Sequence, residues 1–440
     1  MDQTAFNAGL LAYLDGAPTP FHAVHCARQL LDAAGFRALD ERAAWSLERG
    51  GRYYVTRNGS ALIAFVIGDA PLAEAGVRMV GAHTDSPCLK VKPRPELKAQ
   101  GYWQLGIEVY GGALLNPWFD RDLGLAGRLT LRDGEGRLSS RLVDLREPVA
   151  VVPSLAIHLD REANDKRTIN KQHHLPAVIA RVQGAEDTFD LRNELVARLA
   201  IDEPWLAQAS LLDYELALYD LQPAAFVGWR REFIASARLD NLLSCYTALQ
   251  ALCHCPSTAN RLVVLNDHEE VGSGSAAGAR GTFLRSVLER LSGGGEAQAR
   301  AMAHSLLVST DNAHGVHPNY ADKHDANHGP TLNGGPALKI NHNQSYASNS
   351  ETAAVFREAC ARAEVPLQAF VARGDMGCGS TIGPITAAGL RVRTAAVGVC
   401  RGDVGVPTFA MHSIRELAGR DDAWSLMQAL GVCFNLPLPD

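Results

Sequence analysis

Apolar residues return at two different rhythms along this chain of 440 residues. In Phe21–Gly35, Val24, Leu30 and Leu31 fall at helical spacing, which predicts an amphipathic helix ended by Gly35. Tyr53–Thr56 and Ala61–Ile67 read as two strands joined by Asn58-Gly59, a strong hairpin signal. Arg78–Ala82 predicts a short buried strand. From about Lys92 the texture changes, as Pro93 and Pro95 break the chain. Short β-like runs follow at Leu105–Val109, Gly127–Leu131, Leu138–Val143 and Val149–Val152, with Asp133-Gly134 as a turn among them. Helical patterns return at Asn193–Ala200 and Leu242–Leu252.

Beyond these the rhythm alternates. Strands are predicted at Arg261–Asn266, Ala301–Thr310 (its start helical), Gln368–Ala372 and Arg391–Val399, and helices at Phe283–Leu291, Ser350–Ala363 and from Ile414–Leu417 onward. The triple glycine Gly293–Gly295 predicts a mobile loop. Such alternation indicates an α/β fold, a mixed sheet layered with helices. The reading is therefore one discontinuous α/β domain, residues 1–92 and 237–440, interrupted by a β-rich domain at 93–236.

Composition narrows the function classes. Apolar residues are 47% and charged residues 20% of the chain, a globular balance that argues against disorder or coiled coil. The net charge of −6 excludes a chain built to coat nucleic acid. No apolar run approaches the roughly 18 residues of a membrane span. Met1–Gly16 lacks a basic segment, and nine scattered cysteines argue for reduced thiols, so a cytoplasmic location is expected. Five of the 15 histidines (His314, His317, His324, His328 and His342) crowd into a short stretch.

Four apolar runs end in side chains able to ligate a metal. Val77–Ala82 leads to His83-Thr84-Asp85, Arg261–Leu265 to Asn266-Asp267-His268-Glu269-Glu270, Leu306–Ser309 to Thr310-Asp311, and Pro407–Met411 to His412. In an open α/β sheet, ligands gather at the carboxyl ends of strands. Asp240, in Arg238-Leu239-Asp240-Asn241, is the fifth candidate. Two histidines with three carboxylates suit Zn, with Mn or Co as alternatives. Five ligands exceed the three of one catalytic zinc and suit two ions sharing a carboxylate. The count alone leaves both arrangements open. The neighbours Glu269 and Glu270 point different ways on a turning backbone, so one can bind metal while the other handles a proton. A carboxylate at Asp85 is placed to orient a ligating His83. Cys253-His254-Cys255, without a second pair, reads as the end of a helix, and Met376-Gly-Cys-Gly-Ser-Thr381 as a tight turn or a set of backbone donors.

The segments Thr19-Pro-Phe-His-Ala-Val24, Gly81-Ala-His-Thr-Asp-Ser-Pro-Cys88, Tyr110-Gly-Gly-Ala-Leu-Leu-Asn-Pro-Trp-Phe-Asp-Arg-Asp122, Leu155-Ala-Ile-His158, Asp267-His-Glu-Glu-Val-Gly-Ser273, His314-Gly-Val-His-Pro-Asn-Tyr320, Ser380-Thr-Ile-Gly-Pro384 and Met411-His-Ser-Ile-Arg-Glu416 resemble, in order and over nearly the whole chain, the aspartyl aminopeptidase family of zinc metallopeptidases. The resemblance implies an aminopeptidase that releases acidic N-terminal residues from short peptides. It implies two divalent ions per subunit, His83 and Asp311 on one, Glu270 and His412 on the other, and Asp240 between them. Glu269 would be the general base for the attacking water and Asp85 the partner of His83. His158, in the inserted domain, would act in catalysis, touching either metal or substrate. His314 and Lys339 would bind the substrate's acidic side chain. The same resemblance implies homodimers built through the inserted domain and assembled into a dodecamer. One departure stands out: Ala395–Gly402 separates Val392-Arg-Thr394 from Asp403-Val-Gly-Val-Pro407, just ahead of His412. The rival readings are an aminopeptidase for neutral residues, a related dimetal amidohydrolase, and a non-catalytic assembly protein stabilised by zinc.

Overall fold

The computed structural model describes residues 1–377, 379, 382–389 and 400–436. The chain forms two compact units, one of Met1–Ser86, Ala224–Met411 and Glu416–Asp440, the other of Pro87–Pro223 with His412–Arg415.

The first unit is layered α/β. Its main sheet runs in the order Arg37–Ala38, Arg52–Arg57, Ala61–Val66, Arg261–Asn266, Arg78–His83, Leu306–Thr310, Cys400–Gly405, Ala337–Lys339 and Gln368–Phe370. Arg261–Asn266 lies antiparallel to Ala61–Val66 and parallel to Arg78–His83, which is in turn parallel to Leu306–Thr310. These central strands are buried along almost their whole length. That is why they read as continuous apolar runs rather than as alternating ones. The hairpin expected at Asn58-Gly59 forms, with both residues at positive φ.

Helices cover the sheet. Pro20–Ala33 starts with proline in its first turn and gives way to Gly35 at φ 80°. Leu239–His254 is buried from Leu239 to Leu252, with Leu242, Leu243, Tyr246 and Leu249 in the core. Full burial of each such side chain is worth roughly 1.5–3 kcal/mol. Ser350–Arg362 is closed by a capping box between Asn349 and Thr352. A smaller sheet orders Ala225–Val227, Phe233–Ser236, Glu416–Gly419, Pro407–Phe409 and Ala313–His314.

The second unit is an antiparallel sheet ordered Leu138–Ala150, Leu123–Arg132, Ser210–Asp220, Cys88–Ala99, Tyr102–Tyr110 and Ala177–Arg181. A bridge between Val151 and Val178 links its first strand's end to its last strand. Leu89, Leu105, Leu125, Leu129, Leu216 and Leu218 fill its core.

Four expectations change. Pro93 and Pro95 do not end an element. They lie within Cys88–Ala99, where pairing to Tyr102–Tyr110 skips from Val91 to Glu96, and such an irregularity spares proline the missing donor. Ile414–Leu417 does not start a helix. Glu416–Gly419 is a strand between Phe233–Ser236 and Pro407–Phe409, and the helix is Asp422–Cys433. A four-residue apolar run has no period of its own, and its sheet partners decide it. Gly293–Gly295 is no loop but a junction: Gly293, in the left-handed region, ends the helix Phe283–Ser292, and Gly295 opens Gly295–Ala303. Leu138–Val143 and Val149–Val152 fall largely on one long strand. The expected strand Arg391–Val399 and residues 395–399 of the departure Ala395–Gly402 lie outside the described residues.

Candidate metal centre

Three parallel strands bring their carboxyl ends to one edge of the first unit's main sheet. In the register, Asn266 stands opposite His83, and Ser309 opposite Gly81. His83, Glu269-Glu270 and Asp311 therefore leave the sheet side by side although they are distant in sequence.

His83 is almost wholly buried. Its Nδ1 sits 3.0 Å from the backbone oxygen of Asp85 and 3.4 Å from Asp85 Oδ1. A proton on Nδ1 donated there leaves the Nε2 lone pair pointing into the site. Nε2 lies 3.4 Å from Asp240 Oδ1, 3.6 Å from Asp311 Oδ1 and 4.0 Å from Glu269 Oε2. Burial opposes a charge on this imidazole, but the carboxylates of Asp240, Asp311 and Asp85 outweigh it and raise its pKa well above the usual value.

Asp240 comes from a helix start, not a strand end. The preceding Arg238 is left-handed at φ 59°, Asp240 itself has non-helical torsions (φ −83°, ψ 104°), and the Asp240–Asn241 peptide is cis. Its amide donates to Glu416 Oε2 at 2.9 Å, and its carbonyl accepts from Ser86 Oγ at 2.6 Å. Asn241 Nδ2 donates to the Thr310 carbonyl at 2.8 Å. Asp240 and Asn241 together are thus tied to three other segments.

Glu269 and Glu270 follow His268, left-handed at φ 62°, and their short turn ends at Gly272, φ 92°. Both amides are held by one carboxylate: Asp85 Oδ1 accepts from Glu269 N at 3.0 Å and Oδ2 from Glu270 N at 3.1 Å. Burial, with the nearby carboxylates of Asp311, Asp240 and Asp85, pushes the Glu269 carboxyl up to about 7 against the opposing influence of His83. A carboxylate near neutrality suits proton transfer.

The donor set fits a zinc ion. Ligand atoms of His83, Asp240 and Glu270 all lie within 4.8 Å of one another. Two atoms each about 2.1 Å from one ion at a tetrahedral angle stand about 3.4 Å apart. The separations from His83 Nε2 to Asp240 and Asp311, 3.4 and 3.6 Å, have that size and are long for hydrogen bonds. Several buried carboxylates around one imidazole also call for a cation among them.

The remaining candidates are placed differently. Lys339 is buried, its Nζ 3.5 Å from Asp311 Oδ2 and 5.3 Å from the Tyr346 ring centre. His314 keeps solvent access and stands edge-on to Phe370. Its surroundings and then the Lys339 charge lower its pKa. His158 is exposed in the second unit. His412 belongs to the segment grouped with that unit, its Nδ1 3.2 Å from the Gly112 carbonyl. His328 pairs with Asp325, and His317 stacks near Tyr320 and Phe409. Cys255 caps a helix and His254 bonds to Gln250 within it. Of Met376–Thr381, Cys378, Ser380 and Thr381 lie outside the described residues. Ser86 and Glu416 carry no role in the sequence reading. Both lie inside recognisable motifs, but nothing in one dimension says that their side chains grip Asp240.

Residues 13–434 match the M18 family, described as aminopeptidase I zinc metalloprotease. The chain is 58% identical over 429 residues to the probable M18 family aminopeptidase 2 of Ectopseudomonas mendocina, covering 98% of each protein. A chain in the cryo-EM structure of the Ape4 and Nbr1 complex superposes with a TM-score of 0.92 at 36% identity, over 98% of this chain and 86% of that one. The mApe1 dodecamer of S. cerevisiae matches with a TM-score of 0.81 at 28% identity, over 97% and 95%.

Proposed function

The chain belongs to the M18 family of zinc metallo-aminopeptidases, and on that premise we propose that it holds two zinc ions per subunit and releases acidic N-terminal residues from short peptides. The single observation that carries the metal-dependent reading is the convergence of Asp240, Asp311 and Glu269 on His83 Nε2, with Glu270 in the same cluster. His83 and Asp311 would hold one ion and Glu270 and His412 the other, with Asp240 shared between them. Such ions polarise a carbonyl and make water a stronger acid.

The chain's own residues do the rest. Glu269, held near neutrality, takes a proton from the attacking water and returns it to the departing amine. Asp85 fixes the backbone of Glu269 and Glu270 and, through its carbonyl, the His83 tautomer. His314 and Lys339 receive the acidic side chain of the substrate. Lys339 has three donors, of which one direction meets Asp311. His158 touches metal or substrate during catalysis. We assign catalysis to residues 1–92 and 237–440 and dimerisation to 93–236, with dimers assembled into a dodecamer as in the S. cerevisiae relative. Free thiols at Cys26, Cys88, Cys245, Cys253, Cys255, Cys360 and Cys433 support a cytoplasmic location.

The test combines metal analysis with a profile of residues released from peptides starting in Asp, Glu, Leu and N-acetyl-Asp. Two zinc per chain and preferential release of Asp or Glu are expected. Release of leucine ahead of both acids overturns the specificity, and cleavage of the acetylated peptide favours an amidohydrolase. Glu269→Gln is expected to keep the metal and lose about 10²–10⁴-fold in kcat; full activity removes Glu269 from its role.

A further inference from the structure

The residue proposed to bridge the two ions sits where its helix departs from helical geometry. Asp240 and Asn241 have non-helical torsions at the start of Leu239–His254. Regular helical torsions therefore do not fix its backbone. Where the Asp240 carboxylate stands depends on what its peptide groups meet.

They meet two buried side chains from elsewhere in the first unit. Glu416 Oε2 accepts from the Asp240 amide at 2.9 Å, and Ser86 Oγ donates to the Asp240 carbonyl at 2.6 Å. Glu416 is 2% exposed and Ser86 9% exposed. Glu416 opens the strand Glu416–Gly419 and stands opposite Ser236, four residues before Asp240. Its position is thus set by the sheet, not by the helix it grips. Ser86 lies one residue after Asp85, on the stretch that carries His83. A carboxylate taken out of water is costly unless donors meet it, and the amides of a helix start are suitable donors. Any polar cap would satisfy that amide. A buried glutamate anchored on the smaller sheet fixes the Asp240 amide against that sheet, while Ser86 ties the Asp240 carbonyl to the stretch that carries His83.

We propose that Glu416 and Ser86 form a clamp on the Asp240 peptide, and that Glu416 is a positioning residue that sets the Asp240 carboxylate against His83 Nε2. This rests on the reading of Asp240 as a metal ligand. Glu416 touches neither substrate nor reacting atoms and acts through Asp240.

The test measures zinc affinity by competition with a chromophoric chelator on the full-length protein, alongside kcat and KM. Glu416→Ala and Ser86→Ala are each expected to weaken zinc binding by about 10–100-fold. Glu416→Gln, which keeps an oxygen for the Asp240 amide, is expected to restore most of that affinity. A loss that is merely structural would not be rescued by Gln. Wild-type zinc affinity in folded Glu416→Ala and Ser86→Ala overturns the clamp. If Glu416→Ala does not fold, Ser86→Ala and Glu416→Gln decide: wild-type affinity in the first, or a loss in the second as deep as that of Ser86→Ala, overturns it. Asp240→Ala separates the premise. If that variant loses zinc while the clamp variants do not, only the clamp fails. If it keeps zinc, the ligand reading fails and the clamp falls with it.

Discussion

Asp85 Oδ1 accepts a hydrogen bond from the amide of Glu269 at 3.0 Å, and its partner oxygen accepts from the next amide, that of Glu270, at 3.1 Å. One carboxylate thus fixes the backbone beneath both glutamates, the proposed base and a proposed ligand, while the Asp85 carbonyl faces His83 Nδ1 at 3.0 Å. Asp85→Asn turns one acceptor into a donor aimed at an amide, leaving a buried donor without its partner. We expect kcat/KM to fall about 10–100-fold with weaker zinc binding. Steady-state kinetics with metal titration checks this, and unchanged values would show that the two amides need no carboxylate.

Removing the metal leaves Asp240, Asp311 and Glu269 facing one buried imidazole. Zinc at a thousand times its Kd stabilises a fold by about 4 kcal/mol through mass action. A chelator is therefore expected to abolish activity and lower Tm by several degrees, with zinc restoring both. A Tm indifferent to chelation and to zinc would count against a structural contribution from zinc.

Lys339 pairs with Asp311 Oδ2 while Asp311 Oδ1 faces His83. It therefore sits between a proposed ligand and the proposed acidic pocket. Lys339→Met is expected to lower kcat/KM for peptides starting in Asp or Glu by about 10–100-fold more than for those starting in Leu, the scale of a lost charged hydrogen bond. An equal loss on all peptides would assign Lys339 to Asp311 alone.

Asp422, fully buried at the first turn of Asp422–Cys433, accepts from the amides of Asn333 at 2.7 Å and Gly335 at 2.8 Å. Asp422→Ala leaves two buried donors unpaired, each costing about 1–3 kcal/mol. Denaturant unfolding is expected to show a lower midpoint, while the zinc content at saturation stays unchanged because Asp422 lies in none of the contacts around His83. A midpoint equal to that of the wild type would mean that water replaces the carboxylate.

Much of this site is visible in one dimension for a simple reason. His83, Glu269, Glu270 and Asp311 each follow an apolar strand, and neighbouring parallel strands end at one edge of the sheet. Periodicity and strand-end chemistry therefore determine the layered α/β class and most of the candidate ligands. The tertiary structure alone decides how those ligands are held. Asp240 arrives on a bent helix start gripped by Ser86 and Glu416. Asp85 turns its carboxylate toward two glutamate amides more than 180 residues away, and Lys339 closes onto Asp311. It also makes Glu416–Gly419 a strand where the local pattern suggests a helix. Periodicity reports which face of an element is buried. It carries no information on which distant group a polar side chain meets there, because that partner is chosen only when remote segments pack.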